Sequence, residues 1–166
     1  MTTDHESRAT ESAIDGLMAL SRLMNAVVAH TLSDVADVVS VPQLRILVML
    51  YDDSPLNLTT IAARLGVDRS NASRPTDKLV VARLVRRNDD KDDRRNAALT
   101  LTPKGRRLVD SLLESRREIF AQIVEKLAHG DREQLAFSVS ALLNVVDHGH
   151  VDLEGVGSES ILPWIR

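Results

Sequence analysis

Residues 59–83 read TTIAARLGVDRSNASRPTDKLVVAR, and the apolar spacing in this stretch decides the fold. Ile61, Ala62 and Leu65 recur at helical spacing after Thr59, and Gly66 stops that short helix as the residue best suited to a left-handed cap. Asp68 is placed to cap the helix that follows. On that second helix Ala72, Thr76, Leu79, Val80 and Arg83 share one side, while Ser70, Asn71, Ser73, Arg74, Asp77 and Lys78 share the other. Small Ala62 and Ala63 permit close approach, so helix, glycine turn and helix together form the pattern of a helix-turn-helix. Pro75 lies inside the second helix. It lacks an N–H and crowds the carbonyl of Asn71, at a cost of about 3 kcal/mol, which predicts a kink or local loosening that re-aims Ser70 to Arg74.

Downstream, Leu84–Arg87 and Ala97–Leu101 read as short strands joined by the polar run Asn88 to Asn96, a β-hairpin with a charged tip. Thr102 with Pro103 opens a long helix through Leu108, Leu112, Ile119, Ile123 and Leu127. Gly130 is expected to stop it, and Asp131 with Gln134 to cap a last helix with Leu135, Val139, Leu142, Leu143 and Val146 on its inner face. Upstream, Ser40, Pro42 and Gln43 form a capping-box arrangement for a helix whose core face is Leu44, Leu47, Val48 and Tyr51, and which Asp52 to Pro55 end. Before it, Ile14, Leu17, Met18, Leu20, Leu23, Met24, Val27 and Val28 mark a long first helix after a polar lead-in. The fold class is thus mainly α with a small β-wing. After His148 an irregular tail ends in the apolar cluster Ile161, Leu162, Trp164 and Ile165, which is expected to pack on its own subunit or across a dimer.

A chain of 166 residues with 43% hydrophobic content can bury one sizeable core. With no cysteine, disulfides, thiolate metal sites and thiol oxidation are excluded. The stretch Met1 to Glu11 lacks the apolar core of a secretory signal, and no apolar run reads as long enough to span a bilayer, so a cytoplasmic protein is expected. The net charge of −3 hides a strong asymmetry. From Arg64 to Arg107, thirteen basic residues face six acids, a balance of +7 that leaves −10 for the flanks. A basic segment on an acidic scaffold is what a phosphate-facing surface requires.

The hairpin and its sequel, Leu84-Val85-Arg86-Arg87, Asp93-Arg94-Arg95, Leu99-Thr100-Leu101-Thr102 and Lys104-Gly105, resemble the MarR family of bacterial winged-helix regulators, and with the order of helices the resemblance covers roughly residues 14–147. It implies one domain over 12–147, with a DNA-binding winged lobe at about 40–102 and dimerisation helices at about 12–38 and 103–147, leaving 148–166 as a tail. It further implies a homodimeric transcriptional regulator, in most cases a repressor, with the recognition helix in the major groove and the wing in the minor groove. Arg95 matches the family's wing arginine and Asp93 the acid that orients it. A long cation suits a narrow, electronegative minor groove. Arg94 is assigned to phosphate. Ser70, Asn71, Ser73 and Arg74, near the helix end that enters the groove, are the candidate base-edge readers, Arg74 for guanine. Arg69 and Lys78 are candidate phosphate contacts.

Rival readings explain less. No phosphate loop, nucleophile elbow or metal-binding His-Glu spacing appears, so an enzyme is not expected. His148 and His150 near Asp147, Asp152 and Glu154 offer metal donors without a rigid element, and no cofactor or metal is assigned. A purely protein-binding helical module would account for the amphipathic helices but not for the +7 segment. Relatives in the family bind small aromatic or phenolic compounds that weaken their hold on DNA, so such an effector is an expected partner although no residue here specifies it.

Overall fold

The computed structural model describes residues 2–88 and 97–147. Its elements run α1 (Thr2–Ser33), α2 (Val41–Asp52), α3 (Leu58–Leu65), α4 (Arg69–Val81), β1 (Val85–Asn88), β2 (Ala98–Leu101), α5 (Pro103–Val124) and α6 (His129–Asp147). The chain divides into two units, one through Val38 and one from Val39 onward.

The first unit is α1 and the turn after it. The helix starts at Thr2, well before the first apolar position. No Gly or Pro interrupts residues 2–15, and the Thr10 hydroxyl donates to the Glu6 carbonyl at 3.0 Å, so the polar lead-in is helical too. It ends at Ser33 rather than near residue 38, and residues 34–38 form a turn. Val27, Thr31 and Val35 are buried, and the Thr31 hydroxyl lies 3.1 Å from the carbonyls of Val27 and Val28. The sequence offers no unbroken apolar run able to span a bilayer. His5–Ser33 is nonetheless one helical stretch of 29 residues with a window of mean hydropathy 1.2, sufficient by length and composition. Its apolar residues are broken up by Ser21, Arg22, Asn25 and His30, so no unbroken apolar run announces it.

In the second unit α2 forms the centre, packing on α3, α4, α5 and β2. Its capping box is present: the Ser40 amide donates to Gln43 Oε1 at 2.8 Å. Leu44, Ile46, Leu47, Val48, Met49 and Leu50 are all buried, so more than one face of this helix is covered, while Tyr51 is only half-buried. Arg106 of α5 stacks on the Tyr51 ring at 5.0 Å. The buried residues of α5 are Gly105, Val109, Leu112 and Arg116; of the expected stripe Leu112 is buried, Leu108 and Ile119 are half-buried and Ile123 is exposed, and burial pushes the Arg116 guanidinium below its usual range.

The helix ends show where side chains satisfy the backbone. Asn57, not foreseen as a cap, accepts the Thr60 amide at 2.8 Å and starts α3 one residue early, at Leu58. Gly66 ends it with φ 67°, as expected. Asp68 occupies the N-cap position of α4 without a side-chain bond; its carbonyl instead accepts the amides of Asn71 and Ala72. Thr102 accepts the Gly105 amide at 3.1 Å and donates to the Arg83 carbonyl at 2.7 Å. Gly130 does not stop α5. That helix ends at Val124, Gly130 lies inside α6, and Asp131 sits in the first turn rather than at the cap. The Arg132 guanidinium closes the connection by donating to the carbonyls of Glu125 at 2.6 Å and Leu127 at 3.0 Å. The face of α6 expected to point inward is exposed at Leu135, Val139, Leu142 and Leu143.

β1 and β2 pair antiparallel, Val85 opposite Leu101 and Asn88 opposite Ala98. Each strand begins one residue later than expected, and β1 also ends one residue later. Leu56 adds an isolated bridge to Leu99, its amide 3.2 Å from the Leu99 carbonyl and its carbonyl 2.7 Å from the Leu99 amide. The hairpin is thereby tied to the segment just before α3.

Candidate nucleic-acid interface

The helix-turn-helix is α3 and α4, which pack on each other. Arg64 in the last turn of α3 reaches back to Asp53 at 2.6 Å, fixing α3 to the end of α2. α4 runs through Pro75 without a break in the helix. Its buried residues are Ala72, Thr76 and Leu79, and the Thr76 hydroxyl donates to the Ala72 carbonyl at 2.7 Å. Val80 is half-buried. Arg83, expected on this buried side, lies beyond the helix end, exposed and at φ 58°.

With that side fixed, helical geometry sets the outer one. Ser70, Arg74, Asp77 and Val81 follow at spacings of four, three and four, and all four are exposed. Asn71 and Lys78 flank this stripe on one side and are exposed; Ser73 flanks it on the other and is half-buried. Arg69 is exposed at the N-terminus. The structure therefore brings Arg69, Ser70, Asn71, Ser73, Arg74 and Lys78 onto one short helix. Arg94, Arg95 and Asp93 lie outside the described residues, as do His148, His150 and the Trp164 cluster.

One contact at this surface has no counterpart in the sequence reading. Asp77 Oδ2 accepts the Ser73 hydroxyl at 3.1 Å, and Asp77 Oδ1 accepts from the Arg87 guanidinium. Arg87 belongs to β1, so the carboxylate joins the outer stripe of α4 to the wing. The i, i+4 spacing of Ser73 and Asp77 is visible in the sequence, but the Arg87 partner, ten residues on, depends on how the strand returns past the helix. Further back, Arg86 donates to the Thr100 hydroxyl at 2.9 Å and Lys104 to the Ala82 carbonyl at 3.2 Å, which occupies two of the segment's cations in holding the wing.

Comparison with known proteins gives a consistent picture. Residues 39–97 match the MarR family model. The HTH-type transcriptional regulator TcaR of Staphylococcus aureus (strain Newman) is 31% identical over 131 residues, covering 75% of this chain and 82% of that protein. Among solved structures, RV1404 from Mycobacterium tuberculosis superposes with a TM-score of 0.69 at 38% identity, over 78% of this chain and 89% of that one. A multiple antibiotic-resistance repressor from Listeria monocytogenes shares the fold at 15% identity, with a TM-score of 0.72 over 86% of this chain and 97% of that one. A winged helix-turn-helix with a polar, partly basic outer stripe, in a chain with these relatives, belongs to the MarR family of DNA-binding transcriptional regulators.

Proposed function

We propose that the protein is a repressor that binds a pseudo-palindromic operator as a homodimer, each subunit laying α4 in the major groove and its wing in the adjacent minor groove. The exposed Ser70 and Arg74, opposite the buried Ala72, Thr76 and Leu79, carry this reading, because a helix anchored on one side and polar on the other can enter a groove without unfolding its core. Ser70, Asn71, Ser73 and Arg74 read base edges, Arg74 a guanine; Arg69, Lys78 and Arg94 hold phosphates; Arg95, oriented by Asp93, enters the minor groove. Within residues 12–147 the lobe at 40–102 reads DNA and the flanking helices, 12–38 and 103–147, pair the subunits. The apolar faces of α1 (Ile14, Leu17, Met18) and α6 (Leu135, Val139, Leu142, Leu143) are solvent-exposed in the single chain, and a second copy would cover them. The site of action is the cytoplasm, where the DNA lies. Release would follow population shift: a small aromatic or phenolic compound that prefers one spacing of the two recognition helices draws the dimer away from its operator.

Selection of bound sequences from a random duplex pool tests the proposal. The expected motif is two-fold symmetric, its half-sites about 10 base pairs apart, with affinity falling steeply as salt rises. Arg74→Ala relaxes one position of each half-site, and Arg95→Ala weakens binding and slightly flattens the salt slope. Recovery of no symmetric motif, or a monomer at micromolar concentration, overturns it.

A further inference from the structure

The geometry points to Asp77 as a specificity-determining residue: a carboxylate locked in the outer stripe of α4 that selects a cytosine in each half-site through its N4 amino group. This deepens the reading of α4 as the recognition helix and rests on it.

Asp77 stands where an acid is least expected, three residues after Arg74 on the stripe that faces outward, in the middle of the +7 segment. A free carboxylate there would swing and repel phosphate. It is not free. The Ser73 hydroxyl holds Oδ2 at 3.1 Å and the Arg87 guanidinium holds Oδ1, so the group is fixed from its own helix on one side and from β1 on the other. An ionised carboxylate has roughly four lone-pair positions. Two of them stay available to a partner outside the protein. Ser73, having given its only proton to Asp77, also offers only lone pairs outward. Asp77 and Ser73 therefore present a surface that accepts hydrogen bonds and donates none.

The major groove edges sort against such a surface. Guanine shows the acceptors N7 and O6 and thymine the acceptor O4, and each is repelled. Adenine offers its N6 amino group but sets the N7 acceptor beside it. Cytosine offers the N4 amino group with no acceptor of its own in the groove, and is the base selected. Arg74, one turn back on the same stripe, supplies the complementary donors for guanine O6 and N7. The two side chains together match the edge presented by G·C pairs.

The test is the same duplex selection, run with the full-length wild type and with Asp77→Ala, Asp77→Asn and Arg74→Ala, each first shown by circular dichroism to keep its helical content. In the wild type one position per half-site is cytosine. In Asp77→Ala its preference over thymine or guanine falls about tenfold or more, while affinity for unrelated duplex holds or rises because a negative charge has gone. Asp77→Asn, isosteric but able to donate as well as accept, moves the preference at that position toward adenine, whose N6 and N7 match an amide. If Asp77→Ala leaves the motif intact and weakens all sequences equally, the carboxylate only braces the wing and the proposal is overturned. If Arg74→Ala changes the motif and neither Asp77 variant does, the assignment to Asp77 alone fails. Should Arg74→Ala also leave every position unchanged, the reading of α4 as the recognition helix fails with it.

Discussion

α2 and α6 are both apolar helices of the second unit, and they treat their apolar residues in opposite ways. In α2 six residues, Leu44 and Ile46 to Leu50, are buried within the chain, and its N-terminus is closed by Ser40 and Gln43. Along α6 no side chain from His129 to Val146 is buried; Leu142 is 40% exposed and Phe137 77%. The winged lobe thus covers its own apolar residues, whereas α6 leaves an apolar face exposed in the single chain. Burying a leucine or valine is worth about 1.5–3 kcal/mol, so several in a row are a strong drive to associate. Stability of the lobe and association of the chain are therefore separable, and substitutions can be chosen that move one without the other.

The largest effect is expected where α5 packs closest on the lobe. At Gly105 a Cβ would overlap the Leu84 carbonyl oxygen, a backbone atom that cannot step aside cheaply, and would also crowd the Leu101 side chain at 3.3 Å. Gly105→Ala should cost about 3 kcal/mol and lower the melting temperature by roughly 10 °C. The same substitution at Gly16 in α1, where nothing lies within 4 Å, should instead stabilise by about 1 kcal/mol, the helix-propensity gain of Ala over Gly. Thermal denaturation of both variants checks the contrast. A loss at Gly16 would mean that this part of α1 is covered in the assembled protein, which would sharpen the comparison rather than end it.

Next in size is the effect on association. Leu142→Glu places a charge on the exposed face of α6 and should leave the melting of the lobe unchanged while weakening self-association about a hundredfold, since a charge buried without a partner is costly. Sedimentation velocity over a concentration series reads it directly. A variant that associates as tightly as the wild type would break the comparison, because α6 would then be no part of the pairing surface.

The lobe was largely legible because its signals are local. The Ser40 capping box, the Gly66 left-handed cap and the Thr102-Pro103 start each depend on neighbours within four residues, and each is found as expected. The periodicity that marks Ala72, Thr76, Leu79, Val80 and Arg83 as the inner side of α4 is a property of one helix; the first three are buried and Val80 half-buried, and it fails only at Arg83, past the helix end. What escaped were features set by contacts between distant segments or by competition between two local signals. Gly130 looked like a stop, yet Arg132 ties down the carbonyls of Glu125 and Leu127 and the chain turns before the glycine. The Leu56 bridge to Leu99 and the Arg87 hold on Asp77 link residues far apart in sequence, and no spacing rule announces either. In α6 the stripe was visible but its environment was not, since periodicity names a face without naming what covers it.

The smallest effect concerns a charge the lobe carries at a cost. Burial and the neighbouring Asp53 push the Asp52 carboxyl above its ordinary 3.8, with Arg64 pulling the other way. Its place at the last position of α2 adds the unfavourable end of the helix dipole. An acid whose pKa is raised on folding binds its proton more tightly in the native state, so stability from this group is present at low pH and is lost as pH rises through the acid range above 3.8. At neutral pH the full cost is felt. Asp52→Asn removes it and should stabilise by a few tenths of a kcal/mol, because the side chain is largely solvated and surface charges are well screened. Paired denaturant titrations at pH 7 and pH 3 give the check: the advantage of Asn should be present at the first and absent at the second. An equal gain at both would trace to the amide's own contacts rather than to the charge. Leu142→Glu made in the same background should then add to it without interaction, as independent sites in a self-satisfied lobe and an outward-facing helix require.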